Sequence, residues 1–291
     1  MDLKIEKVKE SRIKEVDFSK LSFGRTFADH MFICEYKEGK WQNPTIKPYG
    51  ALSLEPSASV FHYGQAVFEG MKAYKDDNGH VFLFRPQENY KRINKSCERL
   101  AMPAFPEEWF DKALRTLIDI DSEWIKPGFG NALYLRPFVI ATTPGVQASP
   151  AKDYLFIIIT APVQAYYSGD VRVKIADYYS RAANGGFGFA KAAGNYAGQF
   201  YPTQQAAAEG YQQVMWTDDA THQYLEEAGT MNLWFRLGDT LVTCPTSERI
   251  LDGVTRKSII AVAEKLGIKQ LRILNPLKEV NLQPHRYVLS K

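Results

Sequence analysis

Lys191 is the only charged residue between Arg181 and Glu209, in the run RAANGGFGFAKAAGNYAGQFYPTQQAAAE. Its neighbours are Gly, Ala, Phe, Asn and Tyr, none of which pairs an ammonium. A lysine held among them is desolvated, which favours the neutral amine. That is the state a nucleophilic or Schiff-base lysine needs. The glycines at 185, 186, 188 and 194 allow sharp turns and the close approach of something bulky. The same run also reads as a flexible surface loop carrying one solvated lysine, so other residues must decide.

Other candidate groups lie at a distance in sequence. Gly253, Val254 and Thr255 lead into a helical pattern, ILDGVTRKSIIAVAEKLGI, with Ile259, Val262, Ala263 and Leu266 as its apolar face and Gly267 as its C-cap. Backbone N–H groups at such a start, with a hydroxyl, form an anion site. In ALYLRPFVIAT the period of two puts Tyr134, Arg136 and Phe138 on one side and Leu133, Leu135 and Val139 on the other. An arginine between aromatics suits a bound carboxylate, the orienting of other pocket residues, or a structural ion pair. Arg85 ends a strand before Pro86, and Glu226 and Glu227 sit in a strand of small residues. Together these suit pyridoxal 5′-phosphate, which needs an amine, cations and N–H groups for its phosphate, and a carboxylate for its pyridinium nitrogen.

The elements that must position these groups are readable in order. Residues 23–36 read as a strand, and His62-Tyr63-Gly64 as a turn before a short helical pattern. KAYKDDNGHVFLFRP reads as a hairpin across Asp-Asp-Asn-Gly. Helical spacing runs over 87–102, ended by Pro103, and again from about 106, where Trp109, Phe110, Ala113, Leu114, Leu117 and Ile118 share a face. DYLFIIIT is a strong strand, and APVQAYYSGD has the composition of a linker. The expected organisation is an N-terminal domain over 1–163, a linker over 164–171 and a cofactor-binding domain over 172–291. Beyond the linker, 203–210 ends an Ala-rich helix, YQQVMWTD reads as a strand, and Gly238-Asp239 as a two-residue hairpin turn.

Composition narrows the classes. The 291 residues are 45% hydrophobic and 24% charged, ordinary for a soluble globular protein. A net charge of +3 does not argue for nucleic acid. The 3 cysteines are far apart and the 5 histidines have no metal-ligand spacing, so no metal is expected. The N-terminus lacks an apolar h-region, and the longest apolar run, YLFIIITAPV, is far short of a membrane span. The expectation is a soluble, cytoplasmic protein.

On the segments FGRTFADHM, HYGQAVFEGMKAY, FRP, YLRPFVIAT, KAAGNYAG, EEAGTMNLWF and ILDGVTRKS, the chain resembles the branched-chain amino-acid aminotransferases, of the fold type IV group of pyridoxal-phosphate enzymes. They occur in family order and span about residues 20–268. The resemblance implies an α/β (α+β) fold of two domains, a small N-terminal one and a larger mixed, barrel-like one, with the active site between them. It implies that Lys191 forms the Schiff base and shuttles a proton, that Tyr196 hydrogen-bonds the cofactor's phenolic oxygen, and that Glu227 pairs with its pyridinium nitrogen. Arg85, with Leu251, Gly253, Val254 and Thr255, would hold the phosphate end, and Thr230 would line the cofactor side. Glu226 would be structural or exposed, and His62 structural. The substrate end would be Phe23, Tyr63, Phe68, Tyr134, Arg136 and Tyr166, aromatic enough for leucine, isoleucine and valine and polar enough at Tyr63, Tyr134 and Arg136 for glutamate. A homodimer sharing residues across its interface is implied, as is ping-pong transamination with 2-oxoglutarate.

After Gly267 the resemblance stops: no Gly-Thr-Gly/Ala loop is found, and the second domain is expected to be incomplete relative to the family. Two other readings stay open. One is another fold type IV enzyme, such as a D-amino-acid aminotransferase or aminodeoxychorismate lyase. The other is a non-catalytic relative.

Overall fold

The apolar run Tyr154–Val163 lies inside an eight-stranded sheet, hydrogen-bonded along both edges. Burial on both faces is what a nearly unbroken apolar strand requires. The computed structural model describes residues 2–164, 170–272 and 275–276. The chain gathers into two compact units, Met1–Tyr166 and Tyr167–Lys291. The segment 165–169 lies outside the described residues, and with it the expected site residue Tyr166 and most of the expected linker.

The first unit runs β1 (Lys4–Ile5), β2 (His30–Lys37), β3 (Lys40–Pro48), α1 (Ser59–Tyr63), β4 (Ala66–Phe68), β5 (Met71–Lys75), β6 (Val81–Leu83), α2 (Pro86–Arg99), α3 (Glu107–Ile120), β7 (Ala132–Ala141) and β8 (Tyr154–Val163). The sheet order is β1-β3-β2-β8-β7-β5-β6, with β4 also on β7, and every pairing except β1–β3 is antiparallel. The hairpin across Asp76–Gly79 forms, pairing Ala73 with Leu83 and Lys75 with Val81. In α3, Phe110, Ala113, Leu114, Leu117 and Ile118 are buried, the stripe expected of an amphipathic helix. Their neighbours include Phe105 and Phe156, whose rings stack at 3.8 Å. Two readings are corrected. The strand expected over 23–36 begins only at His30. The short helical pattern expected after Gly64 is instead β4, because pairing with β7 outweighs the local spacing of a short apolar run, and the helix lies before Gly64, as α1, where a turn was expected at His62-Tyr63.

The second unit runs β9 (Val173–Ile175), α4 (Ala193–Ala197), α5 (Phe200–Ala208), β10 (Gln213–Thr217), β11 (Tyr224–Ala228), β12 (Met231–Asn232), β13 (Phe235–Leu237), β14 (Thr240–Thr243), α6 (Val254–Lys265), β15 (Lys269–Arg272) and β16 (Asn275–Pro276). One sheet has the order β12-β11-β10-β9, with β16 on β11, and a second has β13-β14-β15. The turn at Gly238-Asp239 joins β13 to β14 as expected, with Leu237 opposite Thr240. The apolar face read for α6 is corrected: Ala263 is buried, whereas Val262 and Leu266 are exposed. Among the described residues, no helix is long and apolar enough to cross a membrane.

Candidate active site

Lys191 is half-buried between Ala190 and Ala192, which are 2% and 0% exposed, so the solvated-loop reading does not hold. The turn that carries it is pinned from inside. The buried amide of Asn195 donates to the carbonyl oxygens of Phe187 (2.8 Å) and Ala190 (2.9 Å). Short helix α4 then brings Tyr196 back beside the lysine. Lys191 Nζ donates to Tyr196 Oη at 2.8 Å and lies 5.1 Å from the ring centre.

Glu227, on β11, is 4% exposed. Its Oε1 lies 2.5 Å from Arg181 Nη2 and accepts from the Leu251 N–H at 3.1 Å. Its Oε2 accepts from Asn232 Nδ2 at 2.9 Å. Burial pushes its carboxyl up to about 7, against the pull of Arg181, the Leu251 amide and Lys191. Lys191 is therefore close enough for its charge to be felt there. Arg181 Nη2 also donates to the carbonyl oxygens of Gly188 and Arg249, at 2.7 and 2.6 Å. Glu226 is buried rather than exposed and pairs with Arg249, which also bonds Asn184 at 2.6 Å. This second pair ties the loop ahead of Lys191 to β11.

Asn232 Nδ2 spans from Glu227 to the Leu251 carbonyl, the latter at 2.8 Å. Gly253 caps α6, and a Cβ there would lie 2.0 Å from Asn232 Oδ1, so only glycine fits. Val254 is buried, Thr255 is exposed, and Arg256 turns inward to donate to the Cys244 carbonyl at 2.8 Å. Thr230 is exposed, its hydroxyl accepting from Gln213 Nε2 at 3.3 Å. A pyridinium phosphate fits this donor set. Among the described residues, Oε2 of Glu227 accepts from Asn232 alone, leaving a lone pair for a ring N–H. Leu251–Thr255 lead into a twelve-residue helix whose first amides suit a phosphate.

In the first unit a different set converges. Arg136 donates to Tyr134 Oη from Nη2 (2.8 Å) and Nε (3.3 Å), and its guanidinium lies 4.5 Å from the centre of the Phe68 ring. Phe23 packs edge-on to Tyr134 at 5.0 Å. Among the described residues Arg136 has no acidic partner, and the groups its guanidinium meets are Tyr134 and the Phe68 ring. Tyr63 does not join this group: it is 45% exposed and donates to the Val146 carbonyl. His62 is exposed, 3.1 Å from the Pro56 carbonyl. Arg85 occupies the N-cap of α2 at φ 49°, with its guanidinium 3.9 Å from Glu88.

Sequence reasoning missed Arg181 and Asn232, and in the first unit Glu69, Asn89 and Arg92. Two adjacent acidic residues in an apolar strand were the available signal. Buried carboxylates require cations, and Arg181 and Arg249 stand in the flanking loops.

Solved structures with this fold include a branched-chain aminotransferase from Thermoproteus uzoniensis with norvaline, at TM-score 0.72, 22% identity, 86% of this chain and 80% of that one. The Escherichia coli branched-chain amino acid aminotransferase aligns at TM-score 0.71 and 24% identity over 86% and 79%. A further one, from Thermobaculum terrenum in its PLP-bound holo form, aligns at TM-score 0.70 and 19% identity over 86% and 79%. At such identity the likeness bears on the fold, which is that of the fold type IV aminotransferases. The profile of the amino-transferase class IV family matches residues 66–283, running past Gly267 where the motif resemblance stopped. The Bacillus subtilis (strain 168) branched-chain-amino-acid transaminase 1 is 47% identical over 274 residues, 92% of this chain and 77% of the relative. Branched-chain-amino-acid aminotransferase 2 of that organism is 43% identical over 93% and 75%. The chain belongs to the class IV aminotransferase family. The segment expected to lack the Gly-Thr loop falls largely on 277–291, outside the described residues.

Proposed function

We propose that the protein is a pyridoxal-phosphate-dependent transaminase that moves the amino group of leucine, isoleucine or valine to 2-oxoglutarate. The products are the branched-chain 2-oxo acid and L-glutamate, formed in a ping-pong cycle. The observation that carries this reading is an amine, a phenol and a buried carboxylate grouped in one unit: Lys191, Tyr196 and Glu227. Pyridoxal phosphate, when bound, supplies an aldehyde carbon for amine exchange and a ring that takes up electron density.

The chain's own residues do the rest. Lys191 Nζ would hold the cofactor at its aldehyde carbon and, as the free amine once the substrate's amino group has taken its place there, would carry a proton between the substrate Cα and the product side. Tyr196 would donate to the ring's phenolic oxygen. Glu227 would hold a proton on the ring nitrogen, its own orientation fixed by Asn232 and the Leu251 amide. The amides at Gly253–Thr255 and the Thr255 hydroxyl bind phosphate, and Arg85 keeps the phosphate role the resemblance gives it. Arg136 and Tyr134 receive a substrate carboxylate, while Phe23 and Phe68 supply apolar surface. Exposed Phe61, Tyr63, Phe82 and Phe84 supply apolar area for self-association as a homodimer.

The test is the visible spectrum of the purified protein with leucine. The cofactor band is expected to fade on adding leucine and return with 2-oxoglutarate. Lys191→Ala is expected to lose the band and the turnover. A Lys191→Ala protein with unchanged transamination removes the lysine from the reaction. Preference for D-amino acids, or release of pyruvate from aminodeoxychorismate, would replace the branched-chain reading.

A further inference from the structure

Glu69 is 0% exposed, and its carboxylate is held by Arg92, Asn89 and the Gly70 N–H. Oε1 accepts from Arg92 Nε at 2.6 Å. Oε2 accepts from Arg92 Nη2 at 2.9 Å, Asn89 Nδ2 at 2.8 Å and the Gly70 N–H at 3.1 Å. The same Asn89 amide donates to the Gly70 carbonyl at 3.2 Å. The clamp therefore grips the backbone on the far side of Glu69 from Phe68. On the near side, the Glu69 N–H donates to the Pro137 carbonyl at 2.7 Å, and Phe68 pairs with Phe138 on β7. Three consecutive residues are thus fixed between α2 and the strand that carries Arg136.

What this segment presents to Arg136 is specific. Phe68 offers the face on which the guanidinium rests. Gly70 offers a gap: a Cβ there would lie 2.2 Å from Tyr134 Oη and 2.9 Å from Cζ. The phenol occupies that gap, and from it accepts both Arg136 bonds. Phe68 is held by its own pairing with β7, whereas a shift at Gly70 of a fraction of an ångström would move the gap and the phenol that fills it.

We infer that Glu69, held by Arg92 and Asn89, is a positioning residue for acidic substrates: it seats Tyr134 against Gly70 so that Arg136 is aimed at the side-chain carboxylate of the dicarboxylic partner. The inference rests on the proposed role of Arg136 as a carboxylate receptor. Branched aliphatic substrates do not use that contact, so Glu69 governs which of the two substrate classes is accepted rather than the chemistry common to both.

Steady-state kinetics of the full chain loaded with pyridoxal phosphate test this, using the KM for 2-oxoglutarate, the KM for leucine and the visible band. Glu69→Gln puts an amide donor where the carboxylate accepts. It is expected to raise the KM for 2-oxoglutarate by about tenfold or more, the scale of a weakened hydrogen bond to a charged group. The leucine KM and the cofactor band are expected to stay close to wild type. Gly70→Ala, which displaces the phenol directly and leaves the clamp intact, is expected to give the same split. If both variants change the melting midpoint but leave the ratio of the two KM values unchanged, Glu69 serves the fold alone. If Glu69→Gln does not fold, an unchanged ratio in Gly70→Ala overturns the inference. Arg136→Gln separates the two levels. An unchanged 2-oxoglutarate KM there sinks the carboxylate reading itself, whereas a raised one with unshifted Glu69→Gln and Gly70→Ala sinks only the positioning role.

Discussion

Glu69 in the first unit and Glu227 in the second are both buried carboxylates facing an arginine, and they differ in what their donors tie down. Glu69 takes its donors from Arg92 and Asn89 on α2 and from the N–H of the next residue, Gly70. Glu227 has donors from Arg181, Leu251 and Asn232, yet burial still pushes its carboxyl up to about 7. A carboxylate tied to a helix and to its own neighbouring backbone holds that segment in place. One whose burial outweighs its donors keeps a raised affinity for a proton.

The contrast can be broken by removing each arginine in turn. Arg92→Met leaves Glu69 buried without its cation and is expected to destabilise the protein by about 3–5 kcal/mol in urea unfolding. Arg181→Met is expected to cost less at pH 7, because a carboxyl near its midpoint sheds charge by taking up a proton. Equal losses would erase the distinction. Next in size, Glu227→Gln in the loaded enzyme is expected to lower kcat by about a hundredfold, as when a preorganised electrostatic partner is lost, with KM for both substrates little changed.

A graded effect follows in cofactor-free protein. A raised carboxyl pKa means the folded state binds more protons than the unfolded state between the ordinary value of 4.5 and about 7. Stability from Glu227 is therefore full below that window and falls as pH rises through it. Unfolding midpoints across pH 4.5 to 7 should decline in wild type and flatten in Glu227→Gln. Smallest is the exposed pair on α3, where Arg115 Nε lies 2.7 Å from Asp111 Oδ2. Asp111→Asn is expected to change stability by at most about 0.5 kcal/mol, a control for the buried pairs.

The parts of the molecule that local pattern dictates were legible in the residues. The alternation along β7, the stripe on α3, the two hairpins and the uncharged run around Lys191 each depend on neighbours within a few positions. Ala66–Phe68 was misread because a short apolar run fits either period, and only the partner strand β7 decides. Val262 and Leu266 were placed on a covered face by spacing alone, which says nothing of how wide the neighbouring surface is. Arg181 escaped notice for a different reason. Its partner Glu227 lies across α4, α5 and β10 in the chain, and no local periodicity encodes such a meeting. Arg136 was read with its alternatives open, because its company, Tyr134 on its own strand and Phe68 on β4, is set by strand pairing.

Gly253 has a reach beyond its own turn. A methyl group there would strike Asn232, and the amide of Asn232 is what joins the Leu251 carbonyl to Glu227. Crowding the start of α6 would thus travel through a single side chain to the carboxylate on β11. One hydrogen atom in place of a methyl keeps the start of α6 and the carboxylate on β11 in register, so a defect introduced at either should be felt at both.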